Sequence, residues 1–454
     1  NICNQAFGDL LVSNWKKRQV KDLCESNANS KIKCFDSLGR SRFCIFDNAM
    51  LSFRKMRKRK QDGLFTRSWE RGFISADCGE LGKDDIGYSL LYKPDIEGRE
   101  SAVCDYVFNE TVLMYSHENI RNVGHMVADY LNVWLMLWLS GAARDAKDIT
   151  FLNIDSVGAL KKGKYFADQP NHFFRNYNVS FRRILKAIDF SEPIPAKVCF
   201  KRLLLQPRPD LQFLSDLVTL SSSSSTTSLD MEDRGSLGDG SSTATVARCQ
   251  FASPSSLFQR WNLHMRYNYG FLRSHPDEYN TNNILQILLI VRNFSGINDN
   301  TAKHISSRIY LNEQEIIIAL SQLSSRGITG MPQIRLVVQD LAALSYEHQV
   351  AILGNSSIIV GMHGAGVASS IHMPLGTRYC CGVVEIFPGG DFKSARGYGN
   401  IARRMGHRYE RLDISSNDTY SRGTRVPLIP LVGLVTKVAM EISQSQGSCY
   451  LQNV

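Results

Sequence analysis

The sequence predicts an α/β protein of two Rossmann-like lobes, each built on a parallel sheet, facing one another across a cleft. Three observations predict this. Apolar strand-like runs alternate strictly with helix-periodic segments over 284–387, a looser copy of the same rhythm runs over 112–205, and a serine-rich stretch separates the two.

The second lobe carries the clearer pattern. The apolar run 284–291 reads as a buried strand. Helical spacing follows over 312–323, where Asn312 can cap the helix and Glu315, three positions on, completes a capping box. A strand at 334–338, a helix at 345–353, a strand at 357–361, a helix opening near Gly364 and a strand at 382–387 continue the alternation. The segment 427–442 again has helical spacing and is expected to pack across the lobes. In the first lobe the expected order is a strand at 112–115, a helix over 124–139, a strand at 149–153, a helix around 173–188 and a strand at 198–205. Residues 220–247 lack apolar anchors and read as a disordered insertion. The resulting division is a cysteine-rich segment (1–100) packing on the first lobe, a first Rossmann-like lobe (101–219), the insertion (220–247), a connection (248–282), a second Rossmann-like lobe (283–425) and a C-terminal helix and tail (426–454).

Composition sets the class. A chain of 454 residues with 43% hydrophobic content can bury a full core. Its formal net charge of +10 includes the cluster Arg54, Lys55, Arg57, Lys58, Arg59 and Lys60, which reads as a solvated face. No zinc-finger, RNA-recognition or helix-turn-helix signature accompanies it, so no nucleic-acid partner is expected. Six of the eleven cysteines fall within the first 104 residues, with no CxxC pair anywhere, a usage that suits disulfides in an oxidising compartment better than zinc. Five sequons, at Asn109, Asn178, Asn293, Asn355 and Asn417, agree with passage through the secretory route. No apolar run reaches the ~18 residues of a membrane span, and any membrane attachment is expected through an amino-terminal anchor ahead of Asn1.

Ligands of open parallel sheets bind beyond the carboxyl ends of the strands. Arg292 follows the strand at 284–291, Arg308 lies in the loop after it, and His363, Gly364, Ala365 and Gly366 form a small-residue turn that opens a helix. Glu385 lies on the neighbouring strand. Backbone N–H groups at such a helix start can approach a diphosphate, arginines can fork its oxygens, and a carboxylate at a strand end can accept from ribose hydroxyls. In the first lobe, His125 and Asp129 share one helix face, so that a histidine oriented by a carboxylate could deprotonate an acceptor hydroxyl; a helix-capping or core histidine is the plainer alternative. A dinucleotide-dependent oxidoreductase should show G-x-G-x-x-G after an early strand, and the sequence has none.

The stretch IVRNFSGINDNTAKHISSRIYLNEQE (290–315), Gln349, the IIVGMHGAG and VVEIFP segments, and GHMVADY around His125 together resemble glycosyltransferase family 61, in which these elements recur in the same order. The resemblance implies a GT-B fold and an inverting transfer of a sugar, xylose or N-acetylglucosamine, from a UDP-sugar to a glycan or glycoprotein acceptor in the Golgi or endoplasmic reticulum lumen. It also implies catalytic roles for His125 and Asp129, with Asp129 either orienting the His125 ring or acting as the base itself, and donor binding by Arg292, Arg308, Asn312, Glu313, His363, Gly364, Ala365, Gly366 and Glu385. No metal and no permanently bound cofactor are expected, in keeping with the lack of a clear D-x-D pair. The stretch CFDSLGRSRFC (34–44) resembles the family's amino-terminal cysteine pair, which makes Cys34–Cys44 the expected local disulfide. The chain departs from the family at the insertion, at His372-Met373-Pro374 and in the extra residues before Val383, which include Cys380 and Cys381. A protein that kept the fold and binds nucleotide sugar without turnover is the alternative function.

Overall fold

A computed structural model describes residues 20–22, 24, 28–36, 42–52, 56–61, 64–69, 74–76, 104–115, 130–131, 133–134, 136–137, 140–141, 149–153, 197–205, 256–268, 284–292, 308–325, 332–375, 381–388, 397–415, 419–420 and 423–445. The chain falls into two compact units, one drawn from Leu10–Gly238 and the other from Asp239–Val454. His125, Asp129, the helix expected around 173–188 and the insertion at 220–247 lie outside the described residues.

The first unit contains the strands β1 (Val20–Asp22), β2 (Lys31–Asp36), β3 (Arg42–Leu51), β4 (Met56–Gln61), β5 (Leu64–Trp69), β6 (Ile74–Ala76), β7 (Tyr106–Tyr115), β8 (Ile149–Asn153) and β9 (Val198–Leu205). Its main sheet has the order β1-β2-β3-β9-β7-β8, with β6 also pairing β3, while β4 and β5 form a separate hairpin. Only β9-β7-β8 is parallel. The parallel sheet expected of this lobe is therefore a mixed one: β3 lies antiparallel to β9 and brings β1, β2 and β6 with it. Strands joined by short turns pair antiparallel, whereas parallel neighbours need a crossover, and β2 to β6 follow one another at intervals of only two to five residues. Disulfide Cys104–Cys199 ties the start of β7 to β9. Cys44 is also disulfide-bonded and lies across from Cys34 in the β2–β3 register, while the side chain of Cys34 lies outside the described residues. The core contains Phe46, Phe108, Phe200 and Leu203, with Phe108 and Phe200 stacked at 5.2 Å.

The second unit is a five-stranded parallel sheet of β10 (Ile284–Ile290), β11 (Gln333–Gln339), β12 (Ile358–Met362), β13 (Gly382–Phe387) and β14 (Arg408–Asp413), in the order β11-β10-β12-β13-β14. The helices are α1 (Ser256–Asn268), α2 (Glu313–Ser325), α3 (Tyr346–Gly354), α4 (Ala365–Ala368), α5 (Gly397–Arg404) and α6 (Leu428–Ser445), and a small ladder joins β15 (Thr419–Tyr420) to β16 (Gly423–Thr424). Every residue of β12 and β13 is buried, whereas the edge strands β11 and β14 keep exposed positions, as helices covering both faces of a central sheet require. Helix α6 buries Leu431, Val435, Val438, Ala439 and Ile442 along one stripe, and α2 buries Ile316, Leu320 and Leu323 in the same cluster. Gln286 interrupts the apolar run of β10, and it is satisfied: Nε2 donates to Ser356 Oγ at 3.2 Å and Oε1 accepts from Arg335.

The Asn312–Glu315 pair expected as a capping box meets side chain to side chain, Asn312 Nδ2 donating to Glu315 Oε2 at 3.4 Å. The Asn312 side-chain oxygen accepts from Val426 N–H at 2.9 Å and the amide nitrogen donates to Val426 O at 2.9 Å, so Asn312 fastens the start of α2 to the strand of chain leading into α6. Ser345 caps α3, accepting from His348 N–H.

At Gly382, where β13 begins, a Cβ would run into Val438 Cγ1 on α6. Gly382→Ala should therefore destabilise the protein by about 1–3 kcal/mol in urea unfolding, as overpacking does, and Val438→Ala in the same chain should restore part of the loss. Full loss persisting in the double variant would contradict this packing.

His372 and His407 are both buried; His372 Nε2 pairs with the Tyr346 hydroxyl at 2.7 Å, and His407 Nε2 lies 3.3 Å from Ser370 O. Burial, reinforced by the charge of Arg266, pushes His372 down to about 3; burial, partly offset by the Ser370 carbonyl, pushes His407 down to about 4. In the unfolded chain both return to about 6.5, so the unfolded state takes up protons first as pH falls. Their neutral burial therefore leaves stability intact above pH ~6.5 and removes it between there and the depressed values, at roughly 1–1.5 kcal/mol per pH unit for each. His372→Gln should flatten the fall in unfolding free energy between pH 6.5 and 4, and an unchanged slope would count against this assignment.

Candidate functional site

The order in which strands join the sheet reverses at β10. From β10 the chain steps outward to β11, then crosses back to β12 on the other side of β10. Such a reversal leaves the loops at the two carboxyl ends diverging to opposite faces, which opens a crevice where ligands of open α/β sheets bind. Arg292 emerges from β10 and His363-Gly364 from β12, so both segments border that crevice.

Gly364 has φ +148°, a conformation side chains rarely adopt, and the space beside it is taken by two guanidinium groups. A Cβ there would sit 2.8 Å from Arg292 Nη2 and 2.9 Å from Arg308 Nη1. Two cations thus converge on one point of the backbone. Burial, then the charge of Arg308, lowers the Arg292 pKa; burial likewise lowers that of Arg308. Guanidinium stays protonated regardless, so the direction measures electrostatic discomfort, which an anion between the two would relieve. Asp340, Tyr310 and Tyr398 oppose part of the shift at Arg292.

Gly366 serves a second need for closeness: a Cβ on it would lie 3.2 Å from Ile290 Cγ2, so its absence lets α4 rest on β10. The helix expected from Gly364 is short, one α turn over Ala365–Ala368 followed by a 3-10 turn over Ser369–His372. Its first hydrogen-bonded donors are Val367 and Ala368, both to Gly364 O, which places the N–H groups of Ala365 and Gly366 ahead of them at the helix start. A single turn carries little macrodipole, and the arginines supply most of the positive field.

His363 is buried beside this turn. Its Nδ1 lies 2.7 Å from Glu385 Oε1, and its ring stacks on Phe387 at 4.5 Å and lies 5.0 Å from Tyr398. Glu385 was expected to meet ribose hydroxyls; it is instead wholly buried, and its second oxygen accepts from the Tyr409 hydroxyl at 2.7 Å. The carboxylate stands behind the histidine. Burial, then the Glu385 charge, raises the Tyr409 pKa and keeps its hydroxyl a donor. Arg411 lies over the Phe387 ring at 3.7 Å.

The remaining sequence-selected residues separate. Glu313, the first residue of α2, has its carboxyl raised by partial burial and then by Asp340, the residue that also acts on Arg292. Asn312 gives its amide to Val426, as above. Gln349 donates to Leu341 O at 2.7 Å and to Leu344 O at 3.2 Å, bracing the loop beyond β11. Tyr398, Tyr409 and Asp340 were not picked out from sequence, since no motif surrounds them; the pair Gly397 and Gly399 flanking Tyr398 was the only local signal. Among the described residues, no three His, Cys, Asp or Glu side chains gather as metal ligands.

The profile of the family described as Glycosyltransferase 61 matches residues 123–380, more than half of the chain. Among curated proteins, the chain is similar to protein O-linked-mannose beta-1,4-N-acetylglucosaminyltransferase 2 of Danio rerio, at 33% identity over 88 residues, 19% of this chain and 13% of that protein. It is also similar to the EGF domain-specific O-linked N-acetylglucosamine transferase of Rattus norvegicus, at 22% identity over 288 residues, 63% of this chain and 43% of that protein. The chain thus spans less than half the length of either relative.

Gly364→Ala should weaken pyrophosphate binding at least tenfold in calorimetry, because the new methyl occupies the point where the guanidinium groups converge and the backbone is strained in addition. Wild-type affinity in a folded Gly364→Ala protein would show that the anion sits elsewhere.

Proposed function

The chain belongs to the glycosyltransferase 61 family, and we propose that it transfers N-acetylglucosamine from UDP-N-acetylglucosamine to a hydroxyl of a glycan or protein acceptor. The observation that carries this reading is the convergence of Arg292 and Arg308 on Gly364 at the sheet's switch point. The choice of sugar follows the names of both relatives, each an N-acetylglucosamine transferase. Xylose is the other donor to assay.

In this reading the two units are the lobes of a GT-B enzyme, the second holding the donor and the first the acceptor. His125, oriented by Asp129, takes the proton of the acceptor hydroxyl. The freed oxygen attacks the anomeric carbon from the face opposite the phosphate. The bond from that carbon to the β-phosphate oxygen breaks, its electron pair leaves with UDP, and configuration inverts in a single displacement. Negative charge grows on the diphosphate as the bond breaks, and Arg292, Arg308 and the amides at the start of α4 stabilise it. The arginines thereby take the charge-neutralising role that a divalent cation would otherwise fill. Bonded cystines at Cys104–Cys199 and at Cys44 favour an oxidising compartment, in line with the lumen of the endoplasmic reticulum or Golgi.

Purified protein incubated with a panel of UDP-sugars should release UDP fastest from UDP-N-acetylglucosamine, with EDTA leaving the rate unchanged. Arg292→Ala and Arg308→Ala should each lower kcat/KM by roughly 100-fold or more, the cost of removing a preorganised charge donor, and His125→Ala should lower kcat. UDP release from none of the sugars, or full turnover in both arginine variants, would defeat the proposal.

A further inference from the structure

A chain of contacts runs from the β14 edge of the sheet to the arginine crevice. It begins with a slot in α5. At Gly399 an added Cβ would lie 2.7 Å from Tyr409 Cζ and 2.9 and 3.0 Å from its Cε atoms, so the Tyr409 ring fills the place of a missing side chain. Arg403, one turn further along α5, holds its guanidinium 4.6 Å from the centre of the same ring. Glycine is a poor residue for a helix interior, yet here it alone lets the ring lie against the helix. Seated this way, Tyr409 donates to Glu385 Oε2 at 2.7 Å, and Glu385 Oε1 meets His363 Nδ1 at 2.7 Å. Glu385 has no exposed surface and both oxygens engaged, so it acts on a ligand only through His363, the residue immediately before Gly364.

The rings of Phe387 and Tyr398 restrict the plane of the imidazole but do not choose which nitrogen carries the proton. The carboxylate does: an acceptor at Nδ1 requires a hydrogen there, which fixes the ring's orientation and the character of its other edge. Tyr409 in turn fixes the carboxylate. We propose that Tyr409 is a positioning residue for diphosphate binding, acting through Glu385 to set the orientation and tautomer of His363 beside the Arg292–Arg308 pair. This inference rests on the reading that the pair holds the donor's diphosphate.

The test is a double-variant cycle read by calorimetric titration of the full chain with UDP. Tyr409→Phe should bind UDP about tenfold more weakly than wild type, the lower end of what an outer partner of an oriented histidine costs in metal sites. In a His363→Ala background, adding Tyr409→Phe should change the affinity by less than about twofold, because the residue it orients is gone. Should Tyr409→Phe fail to fold, Gly399→Ala, which fills the slot, takes its place in the same cycle. A Tyr409→Phe affinity within twofold of wild type, or a loss that persists undiminished without His363, would overturn the positioning role. Arg292→Ala separates the two ideas: wild-type UDP affinity in that variant would remove the diphosphate reading itself, whereas a large loss there beside an inert Tyr409→Phe would remove only the role of Tyr409.

Discussion

Two half-buried guanidinium groups meeting over one glycine form the constraint on which the rest of the second unit depends. Like charges brought out of water repel strongly, and such an arrangement survives only because rigid elements hold it. Arg292 is held by the end of β10, itself buried between β11 and β12. Gly364 is held by the end of β12, whose neighbour His363 is bonded through its backbone N–H to Ile386 O at 2.8 Å. The sheet supplies the rigidity, and the proposed diphosphate would relieve the repulsion.

Close approach is the means by which the fold does this. Gly361 and Gly366 let β12 and α4 press against Ile290, Gly364 admits the arginine tips, and Gly399 admits a tyrosine ring. Each marks a contact in which a backbone stands where a side chain would otherwise separate two elements. The polar groups so enclosed are then satisfied in sequence: histidine by carboxylate, carboxylate by tyrosine. A proposed transfer mechanism asks for a preorganised positive field, and preorganisation is what this packing provides.

Two of the departures from the family's usual pattern also find places. His372, where other residues commonly precede the proline, pairs with Tyr346 and closes the base of α3 against the 3-10 turn. Cys381 is buried with its thiol directed to Ser356 O at 3.7 Å, and burial pushes that thiol up to about 12, so it is held as an inert core group. Neither residue lies among the arginines and the histidine of the crevice.

Periodicity made most of the second unit legible, since strands and helices of a doubly wound sheet bury apolar residues with distinct spacings: the strand at 382–387 stands within the bounds its apolar run set, as do those at 149–153 and 198–205 in the first unit. The arginines and the small-residue turn were legible because the rule about strand ends converts chain order into place. The antiparallel contribution of β1–β3 was not, since short strands with mixed polarity carry no signal of which neighbour they join, and pairing is decided by burial of the completed sheet. The partners of Asn312, Glu385 and Tyr409 became visible only in the tertiary structure. A side chain's partner can lie 24 residues away, as for Tyr409 and Glu385, or 114 away, as for Asn312 and Val426, and no local pattern records such a meeting. Sequence by itself determined which residues could carry charge and where strands would end; the packed sheet decided which of them face the crevice and which stand behind it, because direction and distance exist only once the elements are assembled.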